Sequence, residues 1–134
     1  MLKKNGLPEN VKVSVNIEDT ASKFMTDPTF INRIMYNLVN NAVQAMPNGG
    51  NLAIHAYKNK RDIVITLKDT GVGIPEAIKS KLFTPMFTTK AKGQGFGLVV
   101  IKRMTESLGG TVTFESQECK GTTFTVRFPP KKVD

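Results

Sequence analysis

The order of patterns in this chain predicts an α+β fold, a two-layer sandwich with helices laid on a mixed sheet. Short segments alternate apolar and polar residues at the period of a strand. Two longer segments repeat at the period of a helix. The two kinds mix without the regular strand–helix alternation of an all-parallel sheet.

Taken in order, Val11, Val13, Val15 and Ile17 alternate with Lys12, Ser14 and Asn16, so a first strand with one buried face is expected. An apolar stretch around Phe24 follows. Asp27 can then cap a helix with Pro28 at its first position. At about 100° per residue, Ile31, Ile34, Met35, Leu38, Ala42 and Ala45 share one face of that helix. Arg33, Asn37, Asn40, Asn41 and Gln44 share the other, and Pro47-Asn48-Gly49-Gly50 stops it. Leu52, Ile54 and Ala56 alternate up to a turn near Asn59 and Lys60, and residues 63–67 return, so 51–68 reads as a hairpin. Residues 69–75 form a loop, 75–82 a short helix, and 83–95 an irregular stretch of Thr, Lys and Gly. Residues 97–108 are helical, with Leu98, Ile101, Met104 and Leu108 inward and Gly109-Gly110 as the stop. Residues 111–115 and 122–128 make a closing hairpin, and Pro129-Pro130 ends the domain.

With 134 residues and 40% hydrophobic content the chain suits one domain, residues 1–134 with a core at about 8–130. No apolar run reaches the ~20 residues that span a bilayer, and the first residues lack the apolar stretch of a leader. The single Cys119 forms no internal disulfide. A cytoplasmic domain with no direct membrane insertion is therefore expected. The net charge of +8 favours anionic partners, with nucleotide, nucleic acid and acidic protein all open on charge alone.

The asparagines carry the most chemistry. Asn is a poor helix former, costing up to ~0.7 kcal/mol against Ala at each position. A solvated face is more cheaply built from Lys or Glu. A row of carboxamides instead suits a hard cation and phosphate oxygens, which leaves a wet helix face as the plainer alternative. Asp69 follows a hydrophobic strand and opens Asp-Thr-Gly-Val-Gly. A carboxylate there can accept from an exocyclic amine, or simply form an Asp turn. Gly93-Gln94-Gly95-Phe96-Gly97 leads into a helix, where backbone N–H groups can seat phosphate, with Lys90 and Lys92 just upstream. It matches neither a P-loop nor the dinucleotide fingerprint. Thr122 falls on the core side of its strand with Phe124, Val126 and Phe128, so its hydroxyl needs a partner. A ligand, a neighbouring Asp or a backbone carbonyl would serve. His55, the only histidine, falls on the polar side of a strand, and no zinc-ligand spacing or nucleophile–base pair is present.

In this order the segments resemble the catalytic ATP-binding domain of two-component sensor histidine kinases, within the wider GHKL ATPase and kinase family. Asn37-Leu38-Val39-Asn40-Asn41-Ala42 resembles the N box, and Asp69-Thr70-Gly71-Val72-Gly73-Ile74 the G1 box. Residues 83–90, Phe-Thr-Pro-Met-Phe-Thr-Thr-Lys, resemble the F box and ATP lid. Gly93-Gln94-Gly95-Phe96-Gly97-Leu98 resembles the G2 box, and Gly121-Thr122 the closing motif. Asn-Ala-Val-Gln-Ala-Met and Phe-Thr-Thr-Lys look most like the nitrogen-regulator class.

The resemblance implies the GHKL, or Bergerat-type, ATP-binding fold: a mixed five-stranded sheet packed against three helices. It implies that Asn41 ligates Mg²⁺ and that Asn37 contacts phosphate or metal. Asp69 binds the adenine amine with Thr122 in support through water, and Gly71, Gly73 and Ile74 line the base. Lys90, Gly93, Gly95 and Gly97 hold phosphates, with Leu98 beside them. Gln44 stands where many of these kinases carry a phosphate-binding Lys. The expected activity is transfer of the γ-phosphoryl group of Mg-ATP to a histidine on a separate dimerisation and phosphoacceptor domain, and indirectly to a response regulator. No acceptor motif is present, so a piece of a longer kinase is expected.

Three alternatives remain open at this stage. A hydrolase of the gyrase type places a Glu where this chain has Asn37, which cannot act as a base. An anti-sigma-type serine kinase shares the same boxes. A nucleic-acid-binding domain predicts clustered cations with interleaved aromatics, whereas the basic residues here are scattered, so no nucleic-acid partner is expected. Few apolar anchors in 83–96 predict a lid that nucleotide orders.

Overall fold

The computed structural model describes residues 9–18, 28–81 and 94–129. Within them the chain runs β1 (Val11–Ile17), α1 (Pro28–Gln44), β2 (Gly50–Asn59), β3 (Asp62–Asp69), a 3-10 helix (Glu76–Lys81), α2 (Gln94–Ser107), β4 (Thr111–Gln117) and β5 (Gly121–Phe128). Residues 83–90, Lys92, Gly93 and the Phe24 segment lie outside the described residues.

The sheet has five strands in the order β1-β2-β3-β5-β4. β2 and β3 form a hairpin closed at Lys60, which takes a positive φ of 60°. β5 pairs antiparallel with both β3 and β4. β1 runs parallel to β2, and α1 is the crossover that a parallel pair requires. The sheet is therefore mixed, and the fold is an α+β sandwich of a five-stranded sheet and helices.

Alternation decides which residues meet the helices. Leu52, Ile54 and Ala56 of β2 share a core with Ile63, Ile65 and Leu67 of β3 and with Phe124 and Val126 of β5. Ile34, Leu38 and Ala42 of α1 and Leu98 and Ile101 of α2 complete it. Leu52, Ile101 and Val126 are fully buried. At about 25 cal/mol per Å² of apolar surface removed from water, this shared layer is the main force holding helices to sheet.

Three expectations need correction. The first strand was expected to bury one face, but only Val11 is buried, while Val13, Val15 and Ile17 are 37%, 58% and 49% exposed. The reason is position: β1 is an edge strand, and the helices lie over β3 and β4. The short helix after Pro75 is a 3-10 helix with no buried residue. The last helix begins at Gln94 rather than Gly97, so part of the glycine run lies inside it.

Candidate functional site

Asp69 is the last residue of β3 and is 3% exposed. Its burial follows from alternation, because Ile63, Ile65, Leu67 and Asp69 all point to the helix side. A buried carboxylate needs donors. The amide of Gly71 donates to Asp69 Oδ1 at 2.8 Å, and the amide of Thr122 donates to the same oxygen at 3.2 Å. Among the described residues no donor reaches Oδ2. Burial pushes the carboxyl above the usual range, and the two backbone amides pull it part of the way back. The Asp turn and the acceptor reading are thus compatible: Oδ1 makes the turn, and among the described residues Oδ2 has no donor.

Thr122 sits in register with Asp69 on one side and with Ser116 on the other. Its hydroxyl is buried with the residue, 4% exposed, and lies 2.8 Å from Ser116 Oγ. Ser116 is a hydroxyl partner that the sequence reading, which named a ligand, an Asp or a carbonyl, did not anticipate. Ser116 Oγ also accepts from the amide of Ile74 at 2.8 Å and reaches the Gly121 carbonyl at 3.2 Å. The Ser116 carbonyl accepts from Lys79 Nζ at 2.6 Å, and Lys79 pairs with Glu76 at 2.9 Å. Sequence reading missed Ser116 and Lys79. The signal was there for Ser116, a polar residue on the core side of β4 after Val112 and Phe114.

The loop from Asp69 to Pro75 is clamped from two sides. The amide of Val72 donates to the Ala45 carbonyl at the end of α1, at 2.9 Å. The Val72 carbonyl accepts from the amide of Cys119 in the β4–β5 turn, at 2.7 Å. A Cβ on Gly71 would overlap the Ala45 carbonyl, and one on Gly73 the Gln117 carbonyl. Gly73 also has φ +76°, where side chains are strained. The glycines were expected to let a base approach; the structure gives each a packing reason as well.

The asparagine face of α1 divides in two. Asn40 is exposed together with Arg33, whereas Asn37 and Asn41, one turn apart, are half-buried. Gln44 is exposed, near the helix end. Asn41 lies one turn before Ala45 and so before the clamp on Val72. Its Nδ2 is buried and, among the described residues, has no hydrogen-bond partner. Such a group costs about 1–3 kcal/mol unless an acceptor arrives, so this amide fits an oxygen-rich ligand.

α2 places Gln94, Gly95, Phe96 and Gly97 in its first turn, where backbone N–H groups have no partner within the helix. Leu98, grouped with the site by resemblance, is 7% exposed and packs into the core, where it anchors this helix. Lys90 and Gly93 lie outside the described residues. His55 stacks on Tyr57 with centroids 4.8 Å apart, and its Nε2 is 3.4 Å from Glu18 Oε2, away from this corner on the opposite face of the sheet. Among the described residues no group of three or more His, Cys, Asp or Glu side chains is placed to hold a metal, and no helix is long and apolar enough to cross a membrane.

Comparison with known proteins agrees with this geometry. The family model described as Histidine kinase-, DNA gyrase B-, and HSP90-like ATPase matches residues 26–132. The sensor histidine kinase ZraS of Escherichia coli is 36% identical over 119 residues, 89% of this chain and 26% of that protein. Sporulation kinase A of Bacillus subtilis is 37% identical over 105 residues, 78% of this chain and 17% of that protein. The chain thus spans about a quarter or less of these relatives. Among solved structures, the nucleotide-free catalytic domain of histidine kinase ThkA is similar with a TM-score of 0.77 and 29% identity, covering 90% of this chain and 80% of that one. A buried strand-end carboxylate, two loop glycines clamped against helix and hairpin, and the match along residues 26–132 lead to one conclusion: this chain belongs to the histidine kinase-, DNA gyrase B- and HSP90-like ATPase family.

Proposed function

We propose that this chain is the ATP-binding catalytic domain of a histidine kinase, which holds Mg-ATP and presents its γ-phosphoryl group to a histidine on a separate acceptor domain. One observation carries the nucleotide reading. Asp69 is buried and keeps Oδ1 for two backbone amides, and among the described residues no donor reaches its Oδ2. An adenine amine is a donor of the right kind. A guanine carbonyl in the same place would face a carboxylate and be rejected.

In this reading the remaining residues take the following roles. Thr122 supports the base through a hydroxyl held by Ser116. Gly71, Gly73 and Ile74 shape the wall beside it. Asn37 and Asn41 face the phosphates from α1, with Gln44 further along. The open N–H groups of Gly95 and Gly97 complement phosphate charge at the start of α2. Lys90, Gly93 and their segment would add charge and contacts from outside the described residues.

Mg²⁺ fits this donor set. A hard cation takes oxygen ligands, and Mg²⁺ is usually held by one or two protein oxygens together with nucleotide phosphates. Asn41 would supply the carboxamide oxygen and Asn37 would sit beside it. The metal would neutralise phosphate charge. Asn37 has no basic lone pair to activate water, so transfer is favoured over hydrolysis. The partners of this reading are the phosphoacceptor domain of the same kinase and, indirectly, a response regulator, all in the cytoplasm.

The test is a calorimetric titration with Mg-ATP and Mg-GTP. Binding of ATP alone, lost on Asp69→Ala, is the expected result. Equal binding of both nucleotides would overturn the role of Asp69.

A further inference from the structure

Ser116, which the sequence reading did not single out, joins several parts of this corner. Its hydroxyl meets the Ile74 amide at 2.8 Å, the Thr122 hydroxyl at 2.8 Å and the Gly121 carbonyl at 3.2 Å. A serine hydroxyl has one proton and two lone pairs. The Ile74 amide can only donate, so it fixes one lone pair. The proton then has two acceptors in reach, and the shorter contact is Thr122 Oγ1. When Ser116 donates to Thr122, the proton of Thr122 is freed to point away from Ser116.

We propose that Ser116 is a positioning residue for base recognition: it makes the Thr122 hydroxyl a donor beside the Asp69 acceptor. The inference rests on the adenine reading of Asp69. Adenine presents an amine donor next to a ring nitrogen acceptor. Asp69 Oδ2 matches the amine, and a Thr122 donor, directly or through one water, matches the ring nitrogen. Hypoxanthine presents the reverse pair, a carbonyl acceptor next to a ring N–H donor, and mismatches both. Ser116 thus sets specificity without touching the base. The Ile74 amide takes part because it occupies one Ser116 lone pair, which leaves the single Ser116 proton to go to the Thr122 hydroxyl or the Gly121 carbonyl.

The experiment compares ATP with ITP, each with Mg²⁺, by calorimetry. Removing one hydrogen-bond partner is expected to lower the ATP-to-ITP affinity ratio of Ser116→Ala about fivefold to tenfold. Ser116→Thr, which restores the hydroxyl, should return the ratio to within about twofold of the original. Lys79→Met loosens the same corner through the Ser116 carbonyl without touching either hydroxyl. It should lower the melting temperature and leave the ratio unchanged, which separates positioning from general destabilisation. Should Ser116→Ala not fold, Ser116→Cys, a weak donor and acceptor, carries the same comparison. An unchanged ratio in the Ser116 variant alongside a collapsed ratio in Asp69→Asn overturns the role of Ser116 alone. An unchanged ratio in Asp69→Asn overturns the adenine reading, and the role of Ser116 with it.

Discussion

The backbone amide of Thr122 donates to Asp69 Oδ1 at 3.2 Å, joining residues 53 positions apart in sequence. The bond follows from register, since Asp69 and Thr122 are paired across β3 and β5. It also fixes which carboxylate oxygen is used up. Asp69→Asn keeps an oxygen for both amides but puts an amide nitrogen where Oδ2 was. Affinity for ATP should fall at least about a hundredfold, as expected when a buried site loses its complementary polar partner. Fluorescence or calorimetric titration measures this; retained affinity would remove Asp69 from base recognition.

The same substitution should leave the nucleotide-free domain no less stable at neutral pH. Burial raises the Asp69 carboxyl above its ordinary range, so the folded state binds that proton more tightly than the unfolded state. Stability from this group is then greatest below the ordinary carboxylate value and declines as pH rises through the raised one. Asn carries no charge to bury and shows no such decline. Denaturant melts of both proteins across the acid range should diverge as pH rises, with the wild type losing ground. Parallel curves would contradict the shift.

Asn41→Ala should weaken Mg-ATP more than metal-free ATP, because only the former uses the carboxamide oxygen as a metal ligand. The domain itself should not suffer. The buried, unpaired Nδ2 disappears and Ala is the better helix former, by up to ~0.7 kcal/mol. A melting temperature that holds or rises, together with a Mg²⁺-dependent loss of affinity, is the expected pair of results. Equal loss with and without Mg²⁺ would exclude Asn41 as a ligand.

Gly71→Ala should destabilise the domain by about 1–3 kcal/mol, the usual range for overpacking. The added methyl meets the Ala45 carbonyl, a backbone group that cannot swing aside. Gly73→Ala should be worse, since a positive φ of 76° adds to the overlap with the Gln117 carbonyl. Chemical denaturation of both variants tests the order. If Gly71→Ala melts like the wild type but loses nucleotide, the glycine serves only the ligand.

His55 should take no phosphoryl group from ATP. Its Nε2 is buried and faces Glu18, on the opposite side of the sheet from Asp69. Acid-labile label on the isolated chain after incubation with γ-labelled ATP would contradict this.

The local patterns of the sequence determined the elements and most of their faces. Alternation marked Thr122 as a polar residue on the core side of its strand, and helical spacing brought Asn37 and Asn41 to one face of α1; that Asp69 belongs to β3 and is buried came only from the structure. These follow from side-chain direction within a single element, which sequence period reports. Tertiary structure decided what no period contains. The register of β5 chose the backbone amide of Thr122, rather than its hydroxyl, as the donor to Asp69. The pairing of β4 with β5 set Ser116 against that hydroxyl. Helix cover stopped short of β1, so the Val13, Val15 and Ile17 stripe stayed exposed despite its pattern. Contact between the end of α1 and the 69–75 loop gave Gly71 its steric reason. Each of these depends on which elements become neighbours, and that is settled only when the whole core closes.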